Sequence, residues 1–213
     1  MQRDINIEVK RRTQSDRTEA AKNKILDAAI RILCDDGYLA CTVSSVAKTA
    51  GFTTGAVQHH YPSKTELLHA VITQRTFPKS PYQLPHSMSD KSLAVKCQVI
   101  IDTMWEYYGA KHYPVVWKIL LSVKQSDTLQ SSIHQFFDEA RRLSESRLMA
   151  LFSEENLTSD QASSIITLLS SGLRGLSLSR LSDSHDINVD VQLKLLAKST
   201  ALLINSFNNK VAL

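Results

Sequence analysis

Residues Thr42 to Lys64, TVSSVAKTAGFTTGAVQHHYPSK, constrain the fold more than any other stretch of this chain. Two short helical patterns flank a sharp break at Gly51, and a further helix opens behind them at Ser63. In the first pattern Val46, Ala47 and Ala50 share one face, at i, i+1 and i+4. Glycine takes the positive φ that ends a helix, so Gly51 closes it. Thr53 then offers its hydroxyl as the cap of the second helix. That helix is only about two turns long, with Val57 on its inner side and Thr54, Gly55, Gln58, His59 and His60 on the other. A helix so short and polar is not stable alone in water. It must be propped by neighbours and presented outward, as the second helix of a helix-turn-helix is in a DNA major groove.

The remainder reads as a series of helices. The first runs from about Asp16 to Asp35 on an apolar stripe of Ile25, Ala28, Ala29, Ile32 and Leu33, closed by Gly37. Ser63 and Glu66 have the spacing of a capping box, with Leu67, Leu68, Val71 and Ile72 behind them. Phe77 to Asp90, FPKSPYQLPHSMSD, is broken by three prolines and reads as a linker. This predicts a basic arm at 1–15, a DNA-binding domain at 16–77, a linker at 78–90 and a larger domain at 91–213. In the larger domain, Leu93, Val95, Val99, Ile100, Ile101, Met104, Trp105 and Tyr108 surround most of a helix over 91–109, which predicts burial on most sides. Pro114 suits the first turn of a short helix ending near Val123. Longer helices follow over about 127–152, over 158–181 behind a Thr158–Gln161 capping box, and after Asn188. No strand pattern and no internal repeat is visible. The expected fold is all-α, with about nine helices: an N-terminal three-helix helix-turn-helix domain and a larger helical domain.

Composition sets the frame. The 213 residues are 43% hydrophobic, enough for a normal core in one large domain or two small ones. Six glycines and five prolines favour long helices over a turn-rich β fold. The net charge of +4 is modest, so basic character points to nucleic acid only where it is local. Lys10, Arg11, Arg12 and Arg17 precede the first helix, as an arm for phosphates or a minor groove, or as a solvated start. Cys34, Cys41 and Cys97 form no CxxC pair and read as structural thiols. The polar N-terminus carries no visible signal peptide, and no apolar run approaches the roughly 20 residues of a bilayer span. The expected location is the reduced cytoplasm, with no membrane partner.

The pieces ILDAAIRILCDDGY (Ile25 to Tyr38), Thr42, VAKTAGFTTGAV and HYPSKTELL (His60 to Leu68) recur here at characteristic spacings. With them the stretch from about Lys22 to Val71 resembles the DNA-binding domain of the TetR family of bacterial transcriptional regulators. The family pattern G-x-L-Y-x-H-F is met by Gly55 to Tyr61, with Gln58 in place of its Tyr and Tyr61 in place of its Phe. The resemblance implies that Thr42, opening the second helix, and Lys64, opening the fourth, hold phosphates. It implies DNA contacts by Thr53, Thr54, Gly55, Gln58, His59 and His60, with Thr54, Gly55, Gln58 and His59 facing base edges. Glycine permits close backbone approach. Glutamine pairs bidentately with adenine, so Gln58 is a candidate base reader where the family's Tyr touches backbone. A homodimer built on the last two helices and a small-molecule effector in the larger domain also follow from the resemblance.

Other groups of residues bear on function. His59 and His60 point about 100° apart on a helix and cannot easily chelate one ion, so no metal and no cofactor is expected. Trp105, Tyr107, Tyr108, Tyr113 and Trp117, with His112, His134 and Gln135 nearby, are either core or the lining of a cavity. The expected pocket is bordered by Trp105, Tyr108, Trp117 and Phe137. No Lys or Arg lies at 93–95 or 97–110, which argues for a neutral rather than a strongly anionic ligand. Ser170, Ser171, Gly172, Gly175 and Ser177 weaken helix propensity, so another helix approaches closely there, across a dimer or within the chain. The expected interface holds Gly172, Gly175, Leu176, Leu196 and Leu203. No nucleophile elbow, paired acids, phosphate loop or metal spacing is present, so the chain does not read as an enzyme. The expected function is a transcriptional regulator binding a pseudo-palindromic double-stranded operator, a repressor released by a small molecule. The alternative is a DNA-binding regulator controlled by a protein partner, with an enzyme as a remote third.

Overall fold

The computed structural model describes residues 13–76, 88–123, 128–181 and 187–208. These form ten α-helices and no strand, the all-α class expected. The chain divides into two compact units, Met1–Leu67 and Leu68–Leu213. The division falls inside a helix, earlier than the predicted domain end at 77. Residues 77–87 of the expected linker, the basic arm through Arg12 and the 182–186 loop lie outside the described residues. No described helix is long and apolar enough to cross a membrane.

The first unit is assembled by local caps. In α1 (Gln14–Asp35) the Thr13 hydroxyl accepts from the Asp16 N–H and the Asp16 carboxylate accepts from the Thr13 N–H, a reciprocal capping box. The helix buries Ile25, Leu26, Ala28, Ala29, Ile32 and Leu33. Gly37, at φ 84°, turns the chain into α2 (Gly37–Ala40), a single turn absent from the sequence-based expectation of three helices. Four residues carry no readable period. Thr42 and Ser45 cap α3 (Val43–Ala50), whose Val46 and Ala47 are buried as it packs against α1. Gly51 ends it at φ 75°, the left-handed region expected. The Thr53 hydroxyl then accepts from the Ala56 N–H at 3.2 Å to open α4 (Thr54–His60), which is anchored by fully buried Val57. In α5 (Lys64–Ala70) the Glu66 N–H donates to the Ser63 hydroxyl, and the chain continues as a π-helical segment, Val71–Thr76.

The second unit holds α6 (Leu93–Tyr108), α7 (Tyr113–Ser122), α8 (Thr128–Leu151), α9 (Ser159–Ser179) and α10 (Val189–Asn208). α6 packs on α9 and α10, and α8 on α9, around Ile100, Ile101, Met104, Leu148, Phe152, Ile165, Leu169 and Ile204. Thr158 and Gln161 form the expected capping box, and the Asn188 side chain accepts from the Val191 N–H. α6 departs from expectation at two neighbours: Val95 is 43% exposed, whereas Lys96 is only 1% exposed. The cause is helical phase, since 96, 100 and 104 lie on the inward stripe and 95, 102 and 106 on the outward one. The buried ammonium is tolerated because it donates to Glu155 at 3.0 Å and Glu154 at 3.3 Å.

Candidate nucleic-acid interface and effector cavity

On α4 the polar face is presented as the sequence predicts. Thr54, Gly55, Gln58 and His59 are exposed, while Val57 and Tyr61 are buried on the far side. A side-chain carbon added at Gly55 would meet nothing within 4 Å, so this surface is open to close approach. Thr53 is exposed, and its hydroxyl is engaged in the α4 cap. Thr42 is exposed as well, but its hydroxyl accepts from the Ser45 N–H at 3.1 Å and bonds the Ser45 hydroxyl at 3.0 Å. A phosphate at this position would therefore meet the outward-pointing first-turn N–H groups and the positive end of α3 before the hydroxyl. His60 is half-buried, and its ring lies 5.3 Å from that of His59. Burial lowers its pKa, and the neighbouring charges of His59 and Lys22 lower it further. Lys22, on α1, was missed by the sequence reading because nothing local links it to a residue at the far end of α4.

Lys64 is placed differently from the free phosphate ligand expected. Its ammonium donates to the Tyr38 carbonyl at 2.8 Å and lies 3.9 Å from the centre of the Tyr38 ring. Burial lowers its pKa. The lysine thus ties the start of α5 to α2. The Cys41 thiol nearby is pushed up to about 11 by burial, which Lys64 only partly opposes, so it stays protonated and unreactive.

The second unit contains a cavity of about 380 Å³ walled by α7, α8 and α9, with Tyr108 at the end of α6. The Tyr108 and Tyr113 rings meet at a tilt of 59° with centres 4.9 Å apart, and Trp117 continues this aromatic wall. Of the four residues expected around a pocket, Tyr108, Trp117 and Phe137 line this one and Trp105 does not. The Trp105 indole covers Gly109, where an added side-chain carbon would stand 2.6 Å from it, and Arg180 lies over its ring. His134 reaches the cavity, whereas His112 and Gln135 are not among its lining. Arg141, Arg174 and Asp138 also line it, so the cavity carries charged groups that the absence of Lys and Arg at 93–95 and 97–110 did not foretell. The two guanidinium groups come from α8 and α9, not from α6. Burial raises the Tyr113 pKa, while Trp117 and Arg174 beside it act in the opposite sense.

Residues 25–71 match the sequence model of bacterial regulatory proteins, tetR family. Over this stretch, from the middle of α1 to the end of α5, the chain is of the TetR family. The matched stretch contains α3 and α4, and the proteins it is similar to are DNA-binding transcriptional regulators. The chain is 25% identical over 175 residues to the HTH-type transcriptional regulator CymR of Pseudomonas putida, covering 81% of the chain and 85% of that relative. Its fold resembles that of NalD, the secondary repressor of the MexAB-OprM multidrug efflux pump in Pseudomonas aeruginosa, with TM-score 0.60 at 19% identity over 86% of this chain and 95% of NalD. A TetR transcriptional regulator from Agrobacterium tumefaciens gives TM-score 0.64 at 16% identity, over 88% of this chain and 93% of that one.

The expected interface residues are distributed unevenly. Gly172 is exposed but faces Leu196 of α10 in the same chain, at 3.6 Å from an added side-chain carbon. Gly175 is exposed and faces open space. Leu176, Leu196 and Leu203 are half-buried against the core. The outward apolar residues are instead Leu168 on α9 and Val191, Leu195 and Leu202 on α10. The i, i+4, i+11 spacing of the last three marks a single helix face.

Proposed function

We propose that the chain is a homodimeric repressor released from a pseudo-palindromic operator by a small molecule bound in the α7–α9 cavity. The observation that carries this reading is the cavity itself, about 380 Å³ with Tyr108, Tyr113, Trp117 and Phe137 in its wall, within the range of small-molecule sites. Its walls α7 and α8 also pack against Val71–Thr76, the segment that continues α5 in the chain. A ligand that favours one arrangement of those walls shifts the population of α5 positions, and with it the DNA-binding unit. In this reading Thr42, Thr53, Thr54, Gly55, Gln58, His59 and His60 meet DNA, and Lys64 fixes α5. The dimer forms through α9 and α10, with Gly172, Gly175, Leu176, Leu196 and Leu203 joined by the outward residues Leu168, Leu195 and Leu202.

Trp105→Phe leaves Trp117 as the lone tryptophan and a direct reporter of the cavity. DNA enriched from a random pool supplies the operator, which is expected to be an inverted repeat. A compound that saturably changes Trp117 emission is expected to weaken DNA binding, and DNA to weaken its binding by the same factor. If compounds fill the cavity and leave DNA affinity unchanged, release by ligand is wrong and control by a protein partner replaces it.

A further inference from the structure

The polar groups in the cavity wall are largely engaged with the protein itself. The Ser144 hydroxyl donates to the Ala140 carbonyl at 2.7 Å, and the Ser170 hydroxyl to the Thr167 carbonyl at 3.1 Å. Trp117 and Arg174 both hydrogen-bond the Tyr113 hydroxyl, and the Arg174 guanidinium lies 4.8 Å from the centre of the Trp117 ring. Arg141 donates to Glu145 at 2.7 Å and to the Ser163 hydroxyl at 3.4 Å, with Asp138 4.0 Å away. Gln130 and His134 add an amide and an imidazole, each able to donate and to accept.

Charge is matched in the same way. Among the described residues, the two guanidinium groups of the wall, Arg141 and Arg174, stand against two carboxylates, Asp138 in the wall and Glu145 on Arg141. A charge taken out of water is compensated only by an opposite charge that is not already engaged. An anion entering here would find Arg141 paired and would face Asp138. An ammonium would face both guanidinium groups. A neutral molecule meets neither penalty. The rings of Tyr108, Tyr113, Trp117 and Phe137 favour a planar aromatic, and a volume of about 380 Å³ suits one or two rings. A hydroxyl or amide on that ring would meet Gln130 and His134 without bringing charge.

We propose that this cavity takes a neutral aromatic molecule of one or two rings carrying a neutral hydrogen-bonding group, and that its charge-balanced wall selects against anionic and cationic counterparts. The proposal rests on the reading of the cavity as an effector site and adds the ligand's chemical class. Titration calorimetry of the full-length protein near neutral pH tests it with matched sets: 2-naphthylmethanol, 2-naphthoate and 2-naphthylmethylamine, then benzyl alcohol, benzoate and benzylamine. At least one alcohol is expected to bind about tenfold more tightly than the acid and the amine of its own ring. Asp138→Asn unbalances the wall toward positive charge at an exposed position. It is expected to tighten acid binding about threefold and to leave alcohol binding unchanged. Arg141→Gln is expected to favour the amine instead. An acid or amine that binds as tightly as its alcohol, no alcohol binding at millimolar concentration, or an acid affinity untouched by Asp138→Asn would each overturn the proposal. Operator release separates this from the broader reading. Alcohols that bind with this preference and leave DNA affinity unchanged keep the ligand class and remove the release mechanism. Acids or amines that bind more tightly than the alcohols and release DNA do the reverse.

Discussion

Lys64 separates a strut from a phosphate ligand. Lys64→Met keeps most of the aliphatic stem and removes the ammonium that donates to the Tyr38 carbonyl at 2.8 Å and lies over its ring. A hydrogen bond from a charged donor is worth about 1.5–3 kcal/mol, and a partly exposed cation–π contact roughly 0.5–1 kcal/mol. Against this stands the desolvation that lowers the Lys64 pKa, so the net loss expected is about 1–2 kcal/mol of stability. A loss of that size leaves a domain of ordinary stability folded. DNA affinity should therefore fall only through a displaced α5, and the fall should be alike at all salt concentrations. A lysine on phosphate behaves otherwise, because each lost contact lowers the slope of log affinity against log salt by about 0.9, or about 1.8 for two copies. Urea unfolding followed by circular dichroism, together with fluorescence anisotropy of labelled DNA across a salt series, measures both quantities. A slope reduced by about 1.8 with stability unchanged would refute the strut.

Gln58→Ala is expected to relax base preference at one position of each half-site by about 1–3 kcal/mol, read by repeating selection from a random DNA pool; an unchanged motif would show that Gln58 reads no base. The pKa values of His112 and His60 are both lowered, chiefly by burial, with Arg75 adding at His112 and His59 and Lys22 at His60. The unfolded chain then binds protons first, so stability is complete above about pH 6.5 and is lost as pH falls from there through the lower folded values. The melting temperature should accordingly drop between about pH 7.5 and 5.5, and a flat or rising profile contradicts this. Light scattering at micromolar concentration should give twice the chain mass of 23.8 kDa, and Leu195→Asp with Leu202→Asp should return it to one chain. A single-chain mass for the unmodified protein rules the dimer out.

What the sequence determines here acts over one helical turn. Thr13, Thr42, Thr53 and Thr158 each reach an N–H three residues on, and Gly51 ends its helix in place, so the caps and the α3–α4 break are legible without a fold. The exposed face of α4 follows from the same local period around Val57. The one-turn α2 escaped because four residues have no period to read. Lys96 did leave a signal, its place on the stripe of Ile100 and Met104, but a charge on an apolar stripe is legible only if buried partners are supplied. Glu154 and Glu155 come from more than fifty residues away. Lys64 meets the Tyr38 carbonyl 26 residues back, and Gly172 meets Leu196 across two helices. Trp117 and Arg174 meet because α7 packs on α9, which also leaves Trp105 over Gly109 and away from the cavity. Backbone caps and hydrophobic periods are set by neighbours along the chain, so sequence alone decides them. Whether a charge is paired, a donor is met or a space is left empty depends on which helices pack together, and only the tertiary structure decides that.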